Sequence, residues 1–188
     1  RLSGSTEQLR AGGGGVYYHL SYWGDPQDYL WLSTIPPSLI WEEMSKAYEN
    51  RCRRLWVFNV GDIKPSEISM EFALRLAWNV NSYGPDSQIA WLKECAGREF
   101  GDNASGAVAS VMNDYFRLNH ARKPEHMNWC DTDSGSSAPP SGNLYSLFSQ
   151  VHEGDEMETR IQEFALLRKR ANKLLDGVSV ERRDAFYQ

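Results

Sequence analysis

The passage from Gly15 to Pro65 constrains the fold more than any other part of the chain, because it reads as strand, helix and strand without interruption. Val16 to Trp23 (Val-Tyr-Tyr-His-Leu-Ser-Tyr-Trp) is β-branched and aromatic, follows a glycine run and is short, which predicts a strand. Pro36-Pro37 then opens a helix whose Ile40, Trp41, Met44, Ala47 and Tyr48 fall on one stripe. Leu55 to Val60 is almost continuously apolar, the pattern of a strand covered on both faces in a parallel sheet. Parallel strands need a crossover of about this length, so the passage is expected to form a right-handed βαβ unit.

In α/β folds the loops leaving the carboxyl ends of parallel strands converge, and ligands bind there. Alternation places Tyr17 and His19 on one face of the first strand, with Tyr22 following as the chain leaves it. Leu55, Val57 and Asn59 share a face of the second, so Asn59 is the polar tip of an apolar row. Tyr17, His19, Tyr22 and Asn59 together offer donors and acceptors for a small, hydroxyl-rich ligand. The plainer alternative makes His19 a packed core histidine and Asn59 a turn cap before Val60-Gly61-Asp62.

The residues before and after are less specific. Leu2 and Leu9 suggest the tail of a helix from Arg1 to Arg10, broken by Gly12 to Gly15. A third helix is expected after Pro65, with Ser66 as N-cap and Glu67 in its first turn. Ile68, Phe72 and Leu76 mark one face, and Leu74 with Trp78 widen it, which predicts a largely buried helix. Asn81 to Ser87, containing Gly84-Pro85-Asp86, breaks the pattern and is the expected domain boundary.

Beyond it the pattern is helical only. One helix begins at Ile89-Ala90-Trp91-Leu92 and ends near Gly97 or Gly101; another covers Ala104 to Asn119 with Val108, Val111, Met112, Tyr115 and Phe116 at helical spacing. Asp131 to Asn143, rich in Ser, Gly, Asp and Pro, reads as a loop. From Asp155 to Leu175 a long helix is expected, with Met157, Ile161, Phe164, Ala165, Ala171 and Leu175 inward, Arg160, Glu163, Arg168 and Lys169 outward, and Gly177 as its stop. The fold class is therefore α/β followed by all-α.

Several functions are disfavoured. A net charge of −5 argues against a nucleic-acid partner, and no apolar run reaches the length of a membrane span. Cys52, Cys95 and Cys130 lack metal-ligand spacing, and His120 and His126 have no third ligand nearby. Gly12 to Gly15 precedes a strand and lacks the Lys-Ser/Thr ending of a phosphate loop. No cofactor or metal is implied. Asp25 and Asp28 form a close carboxylate pair that can be read as glycosidase acids or as loop caps. Seven Trp and nine Tyr suit a dense core, and also sugar binding, since aromatic faces stack on pyranose rings.

At the level of whole words the sequence resembles glycoside hydrolase family 115, the xylan α-1,2-glucuronidases. The matching words are Gly15-Val16-Tyr17-Tyr18-His19, Tyr22-Trp23-Gly24, Asp28-Tyr29-Leu30-Trp31-Leu32 and Asn59-Val60-Gly61-Asp62-Ile63-Lys64-Pro65. Phe72-Ala73-Leu74-Arg75-Leu76-Ala77-Trp78, then Arg122-Lys123-Pro124-Glu125 more loosely, and Glu181-Arg182-Arg183-Asp184-Ala185-Phe186 extend it. The resemblance implies the C-terminal part of a (β/α)8 barrel over residues 1–82 and a helical bundle over 83–188. It implies a pocket for glucuronic acid lined by His19, Tyr22 and Asn59, with Tyr17 nearby on the same face. It implies an enzyme that removes (4-O-methyl-)glucuronic acid from glucuronoxylan with inversion. The acid and base are expected upstream of Arg1, so the chain alone is expected to be inactive. A secreted or periplasmic homodimer is implied for the parent enzyme. A carbohydrate-binding module stacking sugars on Tyr17, Tyr22, Trp23 and Trp31, or a purely structural helical domain, are the alternatives from other classes.

Overall fold

A computed structural model describes residues 10–21, 29–124 and 155–184. The order is strand β1 (Gly15–His19), helix α1 (Pro37–Glu49), strand β2 (Leu55–Asn59), then helices α2 (Ile63–Trp78), α3 (Gln88–Phe100), α4 (Asp102–Ala121) and α5 (Glu156–Leu175). Single 3-10 turns occupy Val80–Ser82 and Val180–Arg182. The described residues are thus mostly helical, with one small parallel sheet. Tyr22, Trp23, Asp25, Asp28, His126, Cys130, the segment 131–143 and residues 1–9 of the helix tail expected over 1–10 lie outside the described residues. Among the described residues no helix is long and apolar enough to cross a membrane.

Strand β1 pairs with β2 in parallel, in register from Gly15 opposite Leu55 to His19 opposite Asn59. Helix α1 makes the crossover that parallel pairing requires. It starts at Pro37, where the missing proline N–H costs nothing, and it buries Ile40, Met44 and Ala47. Strand β1 ends at His19, short of the expected Trp23. The Leu20 N–H donates to the Asn59 carbonyl at 2.8 Å, and the Leu20 side chain then turns into the core, almost fully buried. Strand β2 likewise stops at Asn59 rather than Val60.

Among the described residues only one face of the sheet is covered. Val16, Tyr18, Trp56 and Phe58 pack against the core, with the Tyr18 and Phe58 rings edge to face at 6.5 Å. Burial pushes the Tyr18 hydroxyl pKa well above the ordinary phenol range, with Glu43 and Glu42 adding to the shift. Tyr17, Leu55 and Val57 point the other way and are exposed. Strand β2 is therefore not buried on both faces as its apolar run suggests: within the described residues no layer covers the second face.

Helix α2 begins at Ile63, with Asp62 rather than Ser66 at its N-cap. Pro65 is tolerated in the first turn because N–H groups there have no intrahelical partner. Ser66 consequently sits inside the helix and is buried together with Ser69, Phe72, Ala73 and Leu76. Leu74 lies about 200° round the helix from Phe72 and from Leu76. It is 61% exposed and Trp78 is 93% exposed, so neither widens the buried face.

One hydrophobic cluster continues across the break at Asn81 to Ser87. It runs from Leu20 and Ile40 through Phe72 and Leu76 to Trp91, Leu92 and Phe116. Tyr83, in the middle of the break, places its ring 4.6 Å from Phe72 and 5.9 Å from Trp91, while its carbonyl accepts from Trp41 Nε1 at 2.9 Å. Helix α3 ends at Phe100; Gly101 caps it with a φ of 91°, which suits a residue without Cβ, and α4 turns back against α3.

Helix α5 is oriented differently from the expectation. Met157, Ile161 and Ala165 are exposed, and the buried residue is Leu167. Phe164 meets Tyr115 edge to face at 6.5 Å. Arg160, expected on the solvent side, points inward: it donates to the Leu118 carbonyl at 3.1 Å and to Asn119 Oδ1 at 3.2 Å, lying over the Phe164 ring. Phe164, Ala171 and Leu175 are half-buried, so the expected inner stripe holds in part.

A charge network ties α2 to α3. Arg98 grips Glu71 through two 2.6 Å hydrogen bonds, and Arg75 approaches the same carboxylate at 2.8 Å. The Arg98 hydrogen bonds hold the Glu71 carboxyl below its ordinary pKa. A carboxylate depressed in the folded state adds stability above its unfolded pKa and loses it as pH falls. We expect the melting temperature to drop between about pH 5 and pH 3, with the drop shallower in Glu71→Gln. Thermal melts across that range check it; equal slopes would show that the network carries no pH dependence.

Candidate functional site

The register fixes the site. His19 and Asn59 are direct partners at the last rung of the sheet, on its open face. Neighbouring strands lie about 4.8 Å apart, so imidazole and carboxamide stand side by side. One layer below, Tyr17 faces Val57, and below that Gly15 faces Leu55. The Tyr17 ring meets the His19 ring edge-on, with centroids 5.1 Å apart and planes at 70°. Tyr17 and His19 are exposed, and Asn59 is half-buried.

This geometry bears on the plainer readings. His19 lies on the open side of the sheet and not in the hydrophobic cluster. Asn59 uses its backbone carbonyl to hold Leu20, and neither its side chain nor that of His19 hydrogen-bonds another described residue. Three of the four residues read as a ligand site are thus brought together: Tyr17, His19 and Asn59. Tyr22 lies outside the described residues.

The support beneath them was not legible as such. Gly61, two residues beyond Asn59, is wedged between chain segments. A Cβ there would stand 2.5 Å from the Leu30 carbonyl oxygen, 2.7 Å from Ser21 Oγ and 2.9 Å from Leu30 Cα. The Asp62 N–H donates to the same Leu30 carbonyl at 3.0 Å. The turn Tyr29–Leu32, closed by Leu32 N–H to the Tyr29 carbonyl at 2.9 Å, is therefore pinned to the exits of both strands. A glycine just beyond a strand end is the one signal that pointed to this close approach.

An imidazole, a carboxamide and a phenol can read several hydroxyl groups by donating and accepting. They cannot supply the paired carboxylic acid and carboxylate of glycoside hydrolysis, and neither strand carries an acidic residue. Among the described residues no group of three His, Cys, Asp or Glu is placed to hold a metal ion. A shallow groove along α2, lined by Glu67, Met70, Glu71, Leu74, Arg75 and Trp78, offers mainly apolar surface on the helix flank. The strand ends, whose polar side chains hydrogen-bond no other described residue, are the better site for a polar ligand.

Both a sequence-family model and solved structures match this chain. The sequence model of glycosyl hydrolase family 115 matches residues 1–126. A solved structure, described as a family GH115 4-O-methyl-α-glucuronidase with specificity for decorated arabinogalactans, superposes with a TM-score of 0.81 at 36% identity. That match covers 99% of this chain and 24% of the other, so the chain spans about a quarter of the glucuronidase's length. No curated protein matches the sequence.

Proposed function

The chain belongs to glycosyl hydrolase family 115, and on that premise we propose that it forms one wall of the uronic-acid pocket of an α-glucuronidase. The observation that carries the reading is the pairing of His19 with Asn59 on the open face, at the carboxyl end of parallel strands. In this reading β1 and β2 are the last strands of a (β/α)8 barrel that ends near residue 82, and residues 83–188 belong to a helical bundle docked on it through Phe72, Tyr83 and Trp91. The uncovered face carrying Leu55, Val57 and Tyr17 becomes the barrel interior, which side chains from the other strands would fill.

The wall binds; it does not transfer protons. Hydrolysis with inversion needs one carboxylic acid to protonate the leaving oxygen and one carboxylate to activate water on the opposite face. Both come from other strands in this reading. His19 contacts the sugar's hydroxyls or carboxylate, Asn59 bridges hydroxyls, Tyr17 closes the floor, and Tyr22 adds a phenol. The substrate class is a polysaccharide bearing (4-O-methyl-)glucuronic acid side chains. Glucuronoxylan is the first candidate, and the glucuronidase of similar structure makes decorated arabinogalactan the second. A secreted or periplasmic homodimer is the proposed working form.

The test is to incubate the full-length enzyme with glucuronoxylan oligosaccharides and with decorated arabinogalactan, following the released acid by NMR. Release of the uronic acid as its inverted anomer is expected from at least one of them. Release from neither overturns the proposal.

A further inference from the structure

We propose that Trp31, with Tyr29 beside it, is the stacking subsite for the neutral sugar ring that carries the uronic acid. This rests on the pocket reading above and extends it from the bound acid to the polysaccharide backbone.

The argument starts from position. The turn Tyr29–Leu32 touches the exits of both strands at one point: the Leu30 carbonyl accepts from the Asp62 N–H, three residues beyond Asn59. Gly61 leaves no room for a Cβ between Leu30 and Ser21, which itself lies two residues beyond His19. The turn therefore sits at the rim of the His19 and Asn59 wall, with little freedom to move. Next comes exposure. Trp31 is 61% exposed, while the adjacent Thr34 and Ile35 are buried, so the turn is anchored on one side and open at the tryptophan. Its ring lies 6.1 Å from that of Tyr29, with planes at 55°.

The chemistry selects the occupant. The face of an indole is apolar and carries a negative quadrupole. The axial C–H groups of a pyranose present an apolar, slightly positive face that matches it. A uronic acid held at the polar wall is attached to such a ring, which must lie outside the pocket and against its rim. Lysine or arginine would suit a charged backbone; an aromatic pair suits a neutral one.

The experiment uses the full-length enzyme and two readouts. Free D-glucuronic acid, as a competitive inhibitor, reports the pocket alone, and KM on a uronic-acid-bearing oligosaccharide reports pocket and backbone together. Trp31→Ala is expected to raise KM at least fivefold with the inhibition constant unchanged, and Trp31→Tyr to restore most of the loss. Gly61→Ala, which displaces the turn, is expected to raise KM as well. Unchanged KM in Trp31→Ala overturns the subsite. So does an equal loss in both readouts, which would make Trp31 a structural support. If the unaltered enzyme does not bind glucuronic acid, the pocket reading falls, and this inference with it.

Discussion

Replacing Asn59 by alanine in the full-length enzyme is expected to lower kcat/KM on a uronic-acid-bearing oligosaccharide at least tenfold, with the melting temperature nearly unchanged. The two halves of the expectation come from different atoms of one residue. The Asn59 carbonyl accepts from Leu20 at 2.8 Å, and alanine keeps that carbonyl in place. The carboxamide has no hydrogen-bond partner among the described residues, so removing it orphans no described group. In the pocket it would lose a hydrogen bond to a polar or charged sugar, worth about 1.5–3 kcal/mol. His19→Ala is expected to behave alike, because His19 occupies the paired position on β1 and is exposed. Asn59→Asp sharpens the test. It preserves shape but sets a negative charge where the proposed function puts a carboxylate, so it should be worse than alanine. Steady-state kinetics with thermal melts as control decide it. Wild-type kinetics in folded Asn59→Ala and His19→Ala would return both residues to the role of plain strand ends.

Most of what positions this wall could be read in the sequence, since it depends on local patterns. The Pro36-Pro37 start and the stripe through Ile40, Met44 and Ala47 fix α1 by periodicity. Alternation alone put Tyr17 and His19 on one face, Leu55, Val57 and Asn59 on another, and the parallel register made the two faces one. What failed were inferences that needed knowledge of the neighbours. Leu74 and Trp78 are apolar but exposed, because the face of α2 that meets α1 and α3 is set by Phe72, Ala73 and Leu76. Arg160 looked solvated because it is charged, yet carbonyl and carboxamide acceptors at the end of α4 draw it inward. Ser66 has N-cap chemistry, but Asp62, three residues before Pro65, already stands at the helix start. Gly61 carried a meaning that only space reveals: its missing Cβ is what lets Leu30 and Ser21 meet.

The largest stability effect is expected where the core crosses the break at Asn81 to Ser87. Phe72 is 1% exposed, and its ring lies 4.6 Å from Tyr83 and 5.8 Å from Trp91. Truncating it leaves a cavity bounded by the two large rings of Tyr83 and Trp91. Such changes cost about 3–5 kcal/mol. For a chain of this size each kcal/mol lowers the melting temperature by about 2–4 °C, so Phe72→Ala is expected to melt roughly 6–20 °C below the unaltered protein. Leu74, two residues along, is 61% exposed, and Leu74→Ala should stay within about 0.5 kcal/mol. The comparison is informative because both residues share one helix, so propensity and position along it nearly cancel. Tyr83→Ala supplies the third point, since its ring also touches Trp91, at 5.9 Å. The effects of Phe72→Ala and Tyr83→Ala should be non-additive, as expected for side chains in direct contact. Circular-dichroism melts of the three single variants and the Phe72/Tyr83 double variant measure all of this. A large loss in Leu74→Ala would mean that α2 presents its other face to the core. Strict additivity of Phe72 and Tyr83 would mean that the two sides of the break are not packed as one.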